Sequence, residues 1–282
     1  MPKKLPRAID PFYRAVFPLD TIKTADGYEV MDKDWGRAIG FVLARHRCSH
    51  QYSPYGVPNE YICARLGTAI GLPIPPFALS KHSDGARRLL FSSLDFNPAG
   101  LRLPPILPDV CMEHLPSVCA GIITFDVWVA NEDRHDMNLA VDKTLKPKLM
   151  RVYDHDMALF GGCKLNGIPR LDALTDLLAI TDRDVTGGSE HCLLPYLKSS
   201  DYLESWVKRV QSVPKWLIVE ACTTMVKQGI SKEESKVAIA FLLHRQSEIR
   251  KLIFGLLCTH CQIQLLGHQK ASTQRSLFDF EE

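Results

Sequence analysis

Asp133, Asn138, Asp154 and Asp156 are the residues of this chain whose types and spacing could do chemistry. The first two belong to "NEDRHDMN", residues 131–138, an acid–base–amide cluster that interrupts an apolar run containing Ile122, Ile123, Phe125, Val127, Trp128 and Val129. The other two close the later stretch "RVYDHDMALFG", residues 151–161. Carboxylate and amide oxygens are hard donors suited to Mg²⁺. A carboxylate beside such a cation can orient or deprotonate a hydroxyl. The bland alternative is a polar turn, because Asp and Asn also cap and turn the backbone.

The apolar density from Val118 to Ala130 predicts a buried helix whose C-terminal end delivers the cluster. "NLAV" and "KLMRVY" flank the turn "DKTLKPK" and predict a hairpin that carries Asp154 and Asp156. Oxygen ligands from a loop and from the next hairpin can converge on one cation. Upstream, residues 38–45, "AIGFVLAR", follow the turn-like "DKDWG" and predict a strand. "NEYICARLGTAIGLPIPP" predicts a helix with Ile62, Leu66, Ala69 and Ile70 on one face, stopped by Gly71 and Pro73. "PFALSK" and "RRLLFSSL" predict a second hairpin across "HSDGA". Beyond residue 171 the pattern is helical. Ser231 with Glu234 forms a capping box opening a helix that carries Phe241, Leu242, Ile249, Leu252 and Ile253.

The expected architecture is α+β in two lobes. Residues 1–100 form a small α/β N-terminal lobe, residues 101–117 a proline-rich irregular linker, residues 118–268 a larger, mainly helical lobe with the catalytic motifs, and residues 269–282 a flexible tail. In protein kinases the catalytic-loop Asp and the metal-binding Asn are separated by four residues, and a second Asp follows on a hairpin. Here Arg134, His135, Asp136 and Met137 separate Asp133 from Asn138, and Asp154 follows.

"NEDRHDMN" followed by "YDHDMALFG", with "NEYICARLGTAIGLPIPP" upstream, resembles the motifs of the HipA-like kinases, bacterial protein-kinase-like enzymes similar in their core to the phosphatidylinositol kinases. The match runs in order over residues 38–161. The resemblance implies a Ser/Thr-type kinase that uses ATP and Mg²⁺ and passes the γ-phosphoryl group to a hydroxyl of a protein or of itself. It implies Asp133 as catalytic base, with Arg134 and His135 holding the loop or its phosphate contacts. It implies Asn138 and Asp154 as ligands of the Mg²⁺–nucleotide, and Asp156 as a second metal ligand or a hairpin-end cap.

The family also expects a small-lobe strand lysine that grips the phosphates. "GFVLARHR" offers Arg45 there, and Arg differs from Lys in length, fork geometry and hydration. Lys33 is the other candidate, and Glu60 resembles the helix acid that would pair with either. The gap keeps open a nucleotide-binding pseudokinase or adaptor acting through protein contacts. A metal-dependent phosphohydrolase built from the same carboxylates is the third reading, and it leaves the small lobe unexplained.

Charge is balanced, 34 basic against 32 acidic residues, so no global case exists for nucleic acid or membrane binding. The basic N-terminus lacks a secretory apolar stretch, and no apolar run reaches spanning length. Nine scattered cysteines in mostly apolar contexts read as free thiols of a cytoplasmic protein. "CTHC" at 258–261, with His244 and His268 nearby, invites zinc, but no second cysteine pair completes four ligands, and helix-face cysteines are favoured. No Gly-x-Ser-x-Gly elbow is present.

The tail "QRSLF" is similar to peptides that bind the bacterial sliding clamp, with Gln274, Leu277 and Phe278 as anchors; the alternative is packing on its own domain. HipA-like kinases include toxins of toxin–antitoxin pairs, so the resemblance also implies an antitoxin-like partner.

Overall fold

The run expected as one strand over 38–45 is two strands. In the computed structural model, Trp35–Ala38 (β2) and Phe41–His46 (β3) pair antiparallel with Ala38 opposite Phe41. Trp35 and Gly36, expected in a turn, belong to β2. The structure describes residues 20–22, 35–38, 41–46, 55–81, 89–94, 106–142, 149–161, 167–176, 191–197, 199–226 and 228–260. Asp20–Ile22 (β1) adds to β2, and the expected hairpin of Phe77–Lys81 (β4) and Leu89–Leu94 (β5) adds to β3. The result is an antiparallel sheet in the order β1-β2-β3-β5-β4. In β3 the register against β5 shifts between Leu43 and Arg45, a bulge immediately before the candidate phosphate-site arginine.

Helix α1, Gly56–Ala69, packs on β5 and β3. It starts within a stretch whose Pro and Gly read as a loop. Gly71, at φ 84, ends it as expected, its N–H bonding the Thr68 carbonyl at 3.0 Å. Ile62, Leu66 and Ile70 are buried, whereas Ala69 is exposed and does not share their face. Tyr61 meets Phe77 edge-on, and Phe77 stacks on Phe91, joining helix to sheet.

The proline-rich stretch is not wholly irregular. Pro108–His114 (α2) is helical and buries Cys111 and Met112. Pro108 stands at the start of the helix, where a missing N–H costs nothing. Pro116–Val129 (α3) then runs through the core, buried on all sides from Cys119 to Val129. It packs against Leu203–Gln211 (α5) and Lys232–His260 (α7). Contact with α5 is close because residue 121 is glycine: a Cβ there would lie 2.5 Å from the Trp206 ring. The Trp128 indole N–H bonds the Leu242 carbonyl of α7 at 3.0 Å.

Ile168–Leu174 (α4) and Lys215–Thr224 (α6) complete the described helices, with short 3-10 turns at Asp136–Asn138 and Leu194–Tyr196. Leu139–Asp142 (β6) and Leu149–Val152 (β7) form the expected hairpin. The capping box at the start of α7 is realised in both directions: the Ser231 N–H bonds Glu234 Oε2 at 2.6 Å, and the Glu234 N–H bonds Ser231 Oγ at 3.1 Å.

Among the described residues no single helix is long and apolar enough to cross a membrane. His244, one of the histidines near "CTHC", lies 2.7 Å from Asp176. The side chains of Cys258 and His260, residue Lys33, and everything from residue 261 onward, including the clamp-like tail, lie outside the described residues.

Candidate active site

The site grows from the C-terminal end of α3. Ala130 closes the helix in the left-handed region, φ 50 and ψ 52, and the Asn131 N–H bonds back to the Asp126 carbonyl at 2.9 Å. The last carbonyls of a helix need outside partners. The Leu159 N–H answers Val129, Arg170 answers Ala130 at 3.0 Å, and Arg245 answers Val127. Arg170 also bonds the Leu159 carbonyl and lies 3.2 Å from Glu132. Burial pushes the Arg245 guanidinium down to about 9, with Arg170 adding to the effect and Asp176 opposing it.

Arg134 and Asp126 form the centre of the next layer, both side chains fully buried. The Arg134 Nε–H and an Nη2–H donate to the two oxygens of Asp126 at 2.8 and 3.1 Å, a bidentate pair. Asn131 donates to the same carboxylate at 3.0 Å. His191 adds its Nε2 at 3.2 Å; its Nδ1 accepts the Leu193 N–H, which leaves Nε2 as the donor. Burial alone would raise the Asp126 carboxyl. The Arg134 charge and the hydrogen bonds from His191 and Arg134 outweigh it and hold Asp126 well below the usual carboxylate range.

The remaining arm of Arg134 binds backbone. Its Nη1 donates to the Asn138 carbonyl at 2.9 Å and to the Tyr153 carbonyl at 2.8 Å. One nitrogen therefore ties the end of the 131–138 loop to the residue just before Asp154. Burial opposes the Arg134 charge, but Asp126, with help from Cys192 and Asp154, holds its pKa above the ordinary value. From this buried place Arg134 acts on its neighbours as a positioning group.

The loop itself is held by short-range bonds. Asn138 Nδ2 donates to the Asp133 carbonyl at 2.8 Å, which turns the amide oxygen of Asn138 the other way. His135 Nδ1 accepts the Met137 N–H at 3.2 Å, and Tyr153 Oη donates to the Met137 carbonyl at 2.8 Å. The Asp133 carboxylate is about a third exposed, 3.9 Å from His135 Nε2. Asp133 thus has solvent access on a fixed loop, its N–H bound to Asn131 Oδ1 at 3.3 Å and its carbonyl to Asn138.

Asp154 occupies the left-handed region at φ 63, and Leu159 does so at φ 42. Such conformations cost non-glycine residues roughly 1–2 kcal/mol each and persist where the surroundings enforce them. The enforcement comes from α1. Glu60 Oε2 accepts the His155 N–H at 3.1 Å, Asn59 Nδ2 donates to the Asp156 carbonyl at 2.6 Å, and Asn59 Oδ1 accepts the Phe160 N–H at 3.3 Å. The His155 ring is buried edge-on to Phe125, and its Nδ1 stands 3.8 Å from Glu60, too far for a hydrogen bond. Asp156 is buried where its Cβ lies beside Gly56.

The structure thus joins Asp133, Asn138, Asp154 and Glu60 through one bonded frame. Arg45 is located by its backbone, opposite Phe91 in the sheet. Sequence reasoning gave no role to Asp126, Asn131, His191, Arg170 or Asn59. Asp126 was hidden within the apolar helix pattern, and a buried acid there is itself a signal that a cation must be near. Asn59 stood directly beside the singled-out Glu60. His191 carries no local signal.

No protein-family model matches the sequence, and no curated protein matches it. Comparison with solved structures does find similar folds. The Helicobacter pylori proinflammatory kinase CtkA superposes with a TM-score of 0.53 at 10% identity, covering 84% of this chain and 94% of that one. This chain has a kinase fold. The HipA of a Shewanella oneidensis MR-1 toxin–antitoxin system, determined with HipB and operator DNA, is matched with a TM-score of 0.43 at 11% identity, over 89% of this chain and 72% of that chain. Within the kinase fold, the 131–138 loop and the hairpin end at Asp154 are the segments that the Arg134 frame brings together.

Proposed function

We propose that the chain is an ATP-dependent phosphotransferase of the HipA-like type, with the β1–β5 sheet and α1 as the smaller lobe above the helices. The observation that carries the reading is the Arg134 side chain. It is anchored on Asp126 and bonded to the carbonyls of both Asn138 and Tyr153, so the loop bearing Asp133 and the turn bearing Asp154 share one support. In phosphoryl transfer the protein contributes positioning and electrostatics. A rigid shared support is what that chemistry needs.

The donor set fits Mg²⁺. Among the described residues no three His, Cys, Asp or Glu side chains gather as a metal cage. Mg²⁺ is usually held by one or two carboxylates plus substrate phosphates, so Asp154 and Asn138, with Asp156 as a further candidate, would be enough to hold it. When bound, the cation would supply charge neutralisation along the phosphates. Asp133 would orient the acceptor hydroxyl, taken here as a Ser or Thr of a protein, and receive its proton.

The pseudokinase reading draws on one observation: Glu60, the helix acid, accepts from the His155 N–H, a use that needs no strand cation. Incubation with γ-labelled ATP and Mg²⁺ separates the two. Label that appears on protein and is lost in Asp154→Asn supports the phosphotransferase. ATP binding without any transfer supports the pseudokinase.

A further inference from the structure

We propose that Asn59 and Glu60 form a positioning clamp through which helix α1 sets the cation-holding backbone at Asp154–Asp156. The inference rests on the kinase reading and assigns a role that the reading does not require. Two adjacent residues of one helical turn bind three backbone groups between His155 and Phe160. Their bonds run from the residue after left-handed Asp154 to the residue after left-handed Leu159, neither of which is glycine. Asn59 is fully buried and Glu60 nearly so, which shields these bonds from competition by water.

The residue types fit the task. Asn59 must donate to the Asp156 carbonyl and accept from the Phe160 N–H at the same time, and a short amide does both. An aspartate there could only accept, and would place a buried carboxylate oxygen against a carbonyl. Glu60 needs only an acceptor oxygen for the His155 N–H. Because α1 also packs on β3 and β5, displacement of the sheet would reach Asp154 through this pair.

Groups behind a metal ligand act by orienting it, and losing them typically weakens metal binding by about 10–100-fold. The same two residues could instead merely satisfy buried polar groups of the core. That role would change stability while leaving the balance between cation and nucleotide affinity untouched.

The experiment uses the full chain and Mn²⁺ as the probe. Electron paramagnetic resonance gives Mn²⁺ affinity with saturating ADP, and calorimetry gives ADP affinity without metal. For Asn59→Asp and Glu60→Leu we expect Mn²⁺ affinity to fall about tenfold or more, with metal-free ADP affinity held within about twofold. Glu60→Gln, which keeps the acceptor oxygen, recovers most of the loss seen in Glu60→Leu.

Equal losses of both affinities, or no loss in folded variants, would overturn the clamp. Failure of Glu60→Gln to recover affinity would assign Glu60 to charge pairing and overturn it too. If Asn59→Asp does not fold, the two Glu60 variants decide. A wild-type chain that binds neither ADP nor Mn²⁺ overturns the kinase reading and the clamp together, whereas wild-type binding with unaffected variants overturns the clamp alone.

Discussion

Asp126 shows how a single buried charge organises the site. Its carboxylate receives Arg134, Asn131 and His191. Removing one partner of a buried pair leaves the other uncompensated and costs about 3–5 kcal/mol. Asp126→Asn should therefore lower the unfolding free energy by roughly that amount at pH 7, read by urea denaturation. The pH dependence has a definite sign. The folded carboxyl is held below the ordinary range, whereas an unfolded Asp takes up its proton near about 3.9. Between those two values the unfolded chain binds more protons, so stability falls as pH drops through this window and is fully present above it. Asp126→Asn should remove that contribution, flattening the fall of stability below about pH 3.9 relative to wild type. An unchanged acid slope would contradict the assignment.

At this scale the sequence exposed the residues that sit in polar motifs. Asp133, Asn138 and Asp154, the residues proposed for the site, stand out in the sequence because their spacing follows a known chemical requirement. Their supports are less visible. Asp126 lies inside an apolar helical pattern, and His191 reaches it from 65 residues away. Only the fold brings such residues together.

Among the elements, α3 sets the geometry. Its all-round burial and its exit into the loop were readable from apolar density, both hairpins from strand-favouring runs flanking turns, and the capping box of α7 from Ser231 with Glu234. The breaks were harder. Only the last residue of β2, Ala38, reads as part of the β3 strand, because residues 39 and 40 are all that separate them and Ile39 continues the β-favouring pattern, while Trp35 and Gly36 read as a turn. Helix α2 was masked by proline-rich composition, although Pro108 stands in the first helical turn, where proline is tolerated.

The α3–α5 contact supplies a test of packing. Gly121→Ala would put a methyl group into the Trp206 ring, and overpacking of this kind costs about 1–3 kcal/mol. The loss should appear as a lower denaturation midpoint with an unchanged slope. A neutral outcome would mean that Trp206 can move aside, and that α3 and α5 are not tightly seated. The cap is a milder test: Ser231→Ala should cost about 1 kcal/mol, since one of the reciprocal bonds is lost.

For the molecule as a whole, the cysteines report on the integrity of the core. Cys63, Cys119 and Cys222 are buried. Burial raises the Cys63 thiol well above its ordinary value and pushes those of Cys119 and Cys222 up to about 12. Because the thiolate is the nucleophile, these three should escape alkylation in the native protein and react once denaturant opens it. Mass mapping before and after unfolding checks this, and native labelling at Cys63 would contradict the close seating of α1 against the helices.

The central claim is that the 131–138 loop and the Asp154 turn, held on one frame, make a phosphoryl-transfer site with Asp133 as the residue that handles the acceptor hydroxyl. The most direct measurement is transfer from γ-labelled ATP with Mg²⁺ by wild type beside Asp133→Asn, each with its melting temperature and ATP affinity determined. The account predicts that Asp133→Asn keeps its fold and its ATP binding while transfer falls by about 10²–10⁴-fold, the range associated with a lost general base. Transfer at the wild-type rate by a folded Asp133→Asn would contradict it.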